Sequence, residues 1–244
     1  MGRVFVINQP MRHDRDLGIL VPYLDLSRAE EHGVLEFVLP DGELRGSSEK
    51  IASEIEEGLK DFTVDDFILL VGDPRTMAYG AAVAVERTGG ELPLLRYLKT
   101  LGRYSPSRVD VSRCCSTPSG PRRPGPPVVY VVNKPLKQDF DGSYRSMMDI
   151  SPAAEYGRLE YVLPDGELQG TSSEEIVREL HDGLRGMREI DHIVPVGDPR
   201  AIAWAGAVAS KILGGALPLL HWVRNMRRYQ PFRVSLRGGK VQAS

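Results

Sequence analysis

Asp73 and Arg75, and again Asp198 and Arg200, set a carboxylate and a guanidinium two residues apart, each pair inside the tetrapeptide Gly-Asp-Pro-Arg. A carboxylate that accepts from a sugar hydroxyl and a guanidinium that forks onto a phosphate would together bind a nucleotide or another phosphorylated small molecule, or hold one for hydrolysis. Each tetrapeptide follows an apolar run, FILLV or HIVPV, and precedes an Ala/Gly-rich one, AYGAAVA or AWAGAVA. That strand-to-helix position is where α/β proteins hold ligands. Local physics selects the same residues with no ligand attached. Asp at an N-cap accepts from free backbone amides, and Pro in the first helical turn gives up no hydrogen bond. Neither copy carries a Gly-rich phosphate loop.

A second set of residues interleaves cations with aromatics. RYLKTLGRYSPSR supplies Arg96, Lys99, Arg103, Tyr104 and Arg108; HWVRNMRRYQPFR supplies Arg224, Arg227, Arg228, Tyr229 and Arg233. Cations on a hairpin neutralise phosphates and exposed aromatics stack on bases, so nucleic-acid binding is the leading functional expectation. The competing expectation is that Tyr97 and Trp222 face the core while the arginines pair with acidic helices of the other half. Charge is segregated despite a net value of -2: from Pro199 to Ser244 there is no Asp or Glu. One region should therefore be strongly positive.

Catalytic and metal chemistry find little footing. The histidines, His13, His32, His181, His192 and His221, align across an internal repeat with Gln138, Tyr156, Glu56, Phe67 and Arg96. No shared triad or metal cluster emerges, and no cofactor is expected. Asp14, Asp25, Asp41, Glu43 and Asp73 recur as Asp139, Asp149, Asp165, Glu167 and Asp198, mostly where caps and turns are needed. Cys114 and Cys115 are adjacent, which gives neither a disulfide framework nor ligand spacing.

The repeat that underlies these alignments organises the chain. VFVINQP (4–10) matches VYVVNKP (129–135), LEFVLPDGEL (35–44) matches LEYVLPDGEL (159–168), and GGELPLLRY (89–97) matches GGALPLLHW (214–222). The expected division is a first repeat at 1–111, a Pro/Gly-rich linker at 112–127, a second repeat at 128–236 and a flexible tail at 237–244. Each repeat is of common single-domain size.

Within a repeat, VFVIN or VYVVN is a buried strand. Ser27 or Ser151 then caps a short helix that Gly33 or Gly157 ends in a left-handed conformation. LEFVLP or LEYVLP is a second strand. Ile51, Ile55 and Leu59, or Ile176, Leu180 and Leu184, mark one face of an amphipathic helix. A third strand, the Ala-rich helix lying close on the sheet, a fourth strand and an antiparallel fifth follow. The expected fold is α/β: two tandem copies of a small two- or three-layer domain with a partly parallel sheet and a C-terminal β-hairpin.

VYVVNKP, DISPAAEYG, GDPRAIAWA and LLHWVRNMRRYQPFRVSL, with DLSRAEEHG and GDPRTMAYG in the first copy, resemble a family of short proteins encoded by bacteriophages and other mobile elements. The resemblance covers nearly all of both repeats but not the linker. The tandem arrangement departs from it, as do Asn133 and Lys134, where Gln-Glu is usual. It implies a small, self-associating α/β module of viral or mobile origin, and it carries over no catalytic residue.

No run reaches the roughly 18 to 20 apolar residues of a membrane helix and no leader is recognisable, so a cytoplasmic, membrane-free protein is expected. The sequence thus points to a non-enzymatic binding module whose repeats pair as an intramolecular pseudo-dimer and could self-associate further. Nucleic acid is the leading partner. The alternatives are a phosphorylated ligand at the Gly-Asp-Pro-Arg turns, and a structural or inhibitory protein that contacts a host protein.

Overall fold

A computed structural model describes residues 2–14, 19–39, 44, 46–98, 101–114, 124–134, 136–138, 144–163, 168 and 170–236. In the first repeat, strand β1 (Arg3–Asn8) leads into a short hairpin, β2 (Met11–Asp14) with β3 (Ile19–Pro22). A 3-10 turn (Ser27–His32) precedes β4 (Val34–Leu39). Helix α1 (Ser48–Gly58), β5 (Phe67–Leu69), α2 (Pro74–Arg87), β6 (Glu91–Leu98) and β7 (Arg103–Asp110) complete the repeat. A one-turn helix α3 (Val111–Cys114) follows, taking the first residues of the stretch expected to be linker.

The second repeat retraces this order. It runs through β8 (Val128–Val131), β9 (Leu136–Gln138), β10 (Tyr144–Ser146), a 3-10 turn (Ser151–Tyr156) and β11 (Arg158–Tyr161). Then come α4 (Ser173–Leu184), β12 (His192–Val194), α5 (Pro199–Ile212), β13 (Ala216–Val223) and β14 (Arg228–Ser235). The two sheets are ordered β4-β1-β5-β6-β7 and β11-β8-β12-β13-β14. In each, the first four strands are parallel and the last is antiparallel. The α/β class and terminal hairpin are as the sequence indicates; the small hairpins β2–β3 and β9–β10 fall in segments expected to be irregular.

Strand alternation sorts the core into two faces. Phe5 and Ile7 of β1 face the helices, whereas Val4 and Val6 face Leu26 and Ala29, beside and within the 3-10 turn. The inner faces of both repeats belong to one continuous core, in which α2 and α5 lie against each other between the sheets. Residues Arg200 through Ser210 of α5 are buried all round, a pattern suited to a helix covered on every side. Small residues allow this. A Cβ on Gly206 would fall 2.2 Å from the Ala78 carbonyl oxygen of α2, and one on Gly80 would fall 2.9 Å from Ile7 in its own sheet. The Ala/Gly-rich composition therefore serves the contact between repeats as well as the approach of helix to sheet.

Two local expectations need correction. Ser27 and Ser151 are not side-chain caps; the Asp25 and Asp149 carboxylates each accept the Ser27 or Ser151 backbone N–H at 2.9 Å. An Asp two residues upstream closes this turn better than a hydroxyl because its short side chain reaches the amide as a charged acceptor. Gly33 and Gly157 end these turns at positive φ, as expected of glycine, but at 159° and 153° rather than in the helical left-handed well. Glycine is needed there because a Cβ would strike the Gly2 or Pro127 carbonyl oxygen at 2.2 or 2.3 Å.

Candidate functional site

Each residue of the Gly-Asp-Pro-Arg turn has a distinct task. Gly72 and Gly197 adopt φ 102° and 109°, and a Cβ would fall 2.2 or 2.5 Å from the Asn8 or Asn133 carbonyl oxygen. Asn8 at the end of β1 and Asn133 just beyond β8, both buried, accept the Asp73 and Asp198 N–H through Oδ1 at 3.2 and 3.3 Å. Both Asp carboxylates cap their helices by accepting from the Arg75 or Arg200 amide at 2.8 Å, with Pro in the first turn. The Arg then closes a two-pronged pair onto the same carboxylate: Arg75 Nε and Nη2 at 2.9 and 3.0 Å, Arg200 Nε and Nη2 at 3.2 and 3.0 Å.

The turns stand at the switch points of their sheets. From β1 the chain goes first to β4 on one side and then to β5 on the other, so Asn8 and Gly72-Asp73 flank the place where the order reverses, as Asn133 and Gly197-Asp198 do in the second sheet. Helices α2 and α5 touch at Ala78 and Gly206, and their C-terminal ends together line one cleft of about 270 Å³. The helices therefore run in the same general direction, with both turns at the opposite end of the molecule.

There each turn meets the other repeat. On the inner face of β6, in line with Leu92 and Leu94, Arg96 lies 3.7 Å (Nη2 to Oδ2) from Asp198. On β13 the equivalent inward position is His221, which the Asp73 and Arg75 charges both influence, and Arg75 packs over the Phe232 ring at 5.5 Å. The halves are not equivalent. Arg200 gives Nη2 additionally to the Leu168 carbonyl at 2.8 Å, in a pair whose side chains are 11% and 8% exposed. Arg75 commits only Nε and Nη2, so among the described residues its Nη1 keeps its donors.

The basic-aromatic set does not form one surface. Tyr104 and Tyr229 are 5% and 1% exposed and pack into the outer-face clusters, so neither offers a ring to a base. Period-2 alternation dictates this: Leu95 and Leu220 point outward, and the strand partners of that face must cover them. Arg96 is likewise withdrawn into the junction. Arg108 bonds the Val64 carbonyl and lies over Phe67 at 4.9 Å, and Arg233 donates Nη2 to His192 Nε2 at 3.0 Å. Both sit five residues, about 17 Å, along the strand from its hairpin end. Arg103, Arg224, Arg227 and Arg228 are exposed at the hairpin ends, which lie with the turns at the carboxyl end of the parallel strands. Lys99 lies outside the described residues.

A family model for phage Pam3 gp32-like proteins matches residues 2–111 and again residues 127–236. The chain belongs to that family, as two tandem copies. Among curated proteins none matches it. Among solved structures, this Pam3 gp32-like chain is similar in outline to the Acinetobacter baumannii Cap4 SAVED/CARF-domain containing receptor. One structure of that receptor holds the cyclic trinucleotide 3'3'3'-cAAA (13% identity, TM-score 0.47, covering 96% of this chain and 52% of the receptor). Another holds 2'3'3'-cAAA (14% identity, TM-score 0.47, covering 94% and 50%). The chain spans about half the length of these receptors.

Electrostatics separate the halves further. Burial of Asp198 opposes its charge, but hydrogen bonds and charge from Arg200, with Arg96 beyond, outweigh it and hold the carboxyl below the usual range. Burial, and then the Arg75 charge, lower His221; its Nδ1 lies 3.1 Å from the Gln230 carbonyl and donates to it, which leaves Nε2 as the acceptor. Among the described residues no group of three or more His, Cys, Asp or Glu could hold a metal ion, and no helix is long and apolar enough to cross a membrane. Asn8, Asn133 and His192 went unrecognised as structural elements in the sequence. The signal for the asparagines was present: one polar residue ends the same apolar strand in both copies.

Proposed function

We propose that the protein is a binding module for a phosphate-bearing small ligand, a nucleotide or short oligonucleotide, held where the first Gly-Asp-Pro-Arg turn meets the second repeat. The binding unit is both repeats together, residues 1–111 and 128–236, because the site takes Asp73 and Arg75 from one and His221 and Phe232 from the other.

The observation that carries this reading is Arg75. It stands at the N-terminus of a 14-residue helix and at a sheet switch point, is oriented by Asp73 and the Phe232 ring, and has Nη1 uncommitted among the described residues. A guanidinium fixed in this way receives a phosphate at little further entropic cost, and the helix terminus adds favourable potential. The second turn, whose Arg200 is satisfied by Asp198 and Leu168, supports the first by fixing the junction.

Titration calorimetry against nucleoside phosphates, short linear oligonucleotides and cyclic trinucleotides tests the reading. Binding by the intact chain that Arg75→Lys weakens at least tenfold supports it, since Lys keeps the charge but loses the fork. Failure of every phosphate-bearing compound to bind overturns it.

A further inference from the structure

We infer that the β13–β14 turn is a contact surface for double-stranded nucleic acid, with Arg224, Arg227 and Arg228 on backbone phosphates and Met226 against the groove. The inference does not rest on the ligand site at the junction. It starts from charge: all three arginines are exposed and, among the described residues, none has an ion-pair partner, whereas Arg96, Arg108 and Arg233 on the same strands or their equivalents are engaged. Uncommitted guanidiniums give up no internal pair when they move onto phosphate.

Backbone conformation gives a second, independent observation. Arg227 has φ 48°, the left-handed region that favours glycine, and the equivalent position in the first repeat is Gly102 at φ 59°. Glycine satisfies this turn without strain in one copy, yet the other copy places an arginine there. The first copy also ties its turn down, since Arg28 bonds the Gly102 carbonyl. At the corresponding place the second repeat has Pro152, which offers no side-chain donor.

Shape and aromatics select the duplex. Pairing of β13 with β12 is at Leu219; the hairpin beyond it, Leu220–Val223 with Arg228–Pro231, is about 13 Å long, and with Leu220 and Tyr229 buried it is the end at residues 224–228 that projects. That narrow cationic end can reach the phosphates that flank a duplex groove. Bases of a single strand would need stacking platforms. Tyr229 is buried and the half-buried Trp222 is engaged with it edge to face at 5.2 Å, so neither ring stands out from the hairpin end as a platform. Met226, 51% exposed at the tip, is the apolar group left to touch base edges or sugars.

The test is fluorescence anisotropy with a labelled DNA duplex of about 20 base pairs and its single strand, between about 50 and 200 mM salt. The proteins are the full chain, the triple variant Arg224→Gln/Arg227→Gln/Arg228→Gln, and Arg227→Gly. The duplex should bind more tightly than the single strand. The triple variant should flatten the slope of log affinity against log salt by about three and weaken binding more than tenfold. Arg227→Gly should weaken binding without lowering the melting temperature, which a purely structural role would not produce. Absence of duplex binding, unchanged binding by the triple variant, tighter binding of the single strand, or binding only to anionic phospholipid vesicles would each overturn the inference.

Discussion

Arg96 of the first repeat lies 3.7 Å from Asp198 of the second, so a strand of one sheet helps to neutralise the carboxylate that caps the central helix of the other half. The contact joins three levels of organisation: alternation turns Arg96 inward, Asp198 caps α5, and α5 packs on α2. Arg96→Ala should cost about 1 kcal/mol, as expected of a partly exposed pair, and Asp198→Ala more, because the cap and the Arg200 fork go with it. Chemical denaturation of both single variants and the double variant reads out the coupling. Because Asp198 is held below the ordinary carboxylate range, its contribution is complete above about pH 4 and is lost as pH falls through its folded value. Arg96→Ala should therefore move acid unfolding to higher pH.

His192 supplies the larger pH dependence. Burial first, and then the Arg233 charge, push it down to about 4 from an ordinary value of 6.5. The unfolded chain takes up the proton before the folded one does. Stability is therefore full above about pH 6.5 and lost as pH falls toward 4, by as much as about 3 kcal/mol. His192→Phe, which copies Phe67 under Arg108, should remove this loss; a stability profile over that window that still slopes in the variant would assign it elsewhere.

Gly206 sets the distance between α2 and α5. Gly206→Ala puts a Cβ 2.2 Å from a backbone carbonyl, which cannot swing aside, and should cost about 2 to 3 kcal/mol by forcing the helices apart. Thermal unfolding measures it.

At the tip of the second hairpin the sign reverses. Arg227→Gly relieves a left-handed non-glycine residue and should stabilise the chain by about 0.5 to 1 kcal/mol, with some of the gain offset by the freer unfolded chain.

His221 makes ligand affinity pH-dependent. It is held below the usual histidine range by burial and by Arg75, so it is neutral at pH 7 and gains charge as pH falls. A bound phosphodiester favours the charged form, so affinity should rise on acidification, and His221→Gln should flatten that rise. Calorimetry at several pH values checks both.

These particulars show how far the sequence could be read. Ile51, Ile55 and Leu59 announce a helix face through spacing alone, and Asp73-Pro74 announces a helix start through capping chemistry; both are local and both are found. The repeat likewise announces two copies of one fold. Arg96 and Tyr104 could not be assigned in the same way. Alternation shows that Arg96 shares a face with Leu94, but whether that face meets solvent or another helix is decided by α5, more than a hundred residues away. Counterpart exchange hid other roles: Arg108 rests on Phe67 where Arg233 bonds His192, one geometry with two chemistries. The nucleic-acid expectation divided for the same reason, since burial withdrew Tyr104 and Tyr229 and left Arg103, Arg224, Arg227 and Arg228 at the hairpin ends.

The central claim is that Arg75, oriented by Asp73 and faced by the second repeat, receives a phosphate. Calorimetric titration of the intact chain with the best ligand of the nucleotide and oligonucleotide panel, repeated for Arg75→Lys and for the triple hairpin variant, tests it most directly. The account predicts at least tenfold weaker binding for Arg75→Lys and unchanged binding for the hairpin variant. Equal affinity in the folded Arg75→Lys protein would contradict it.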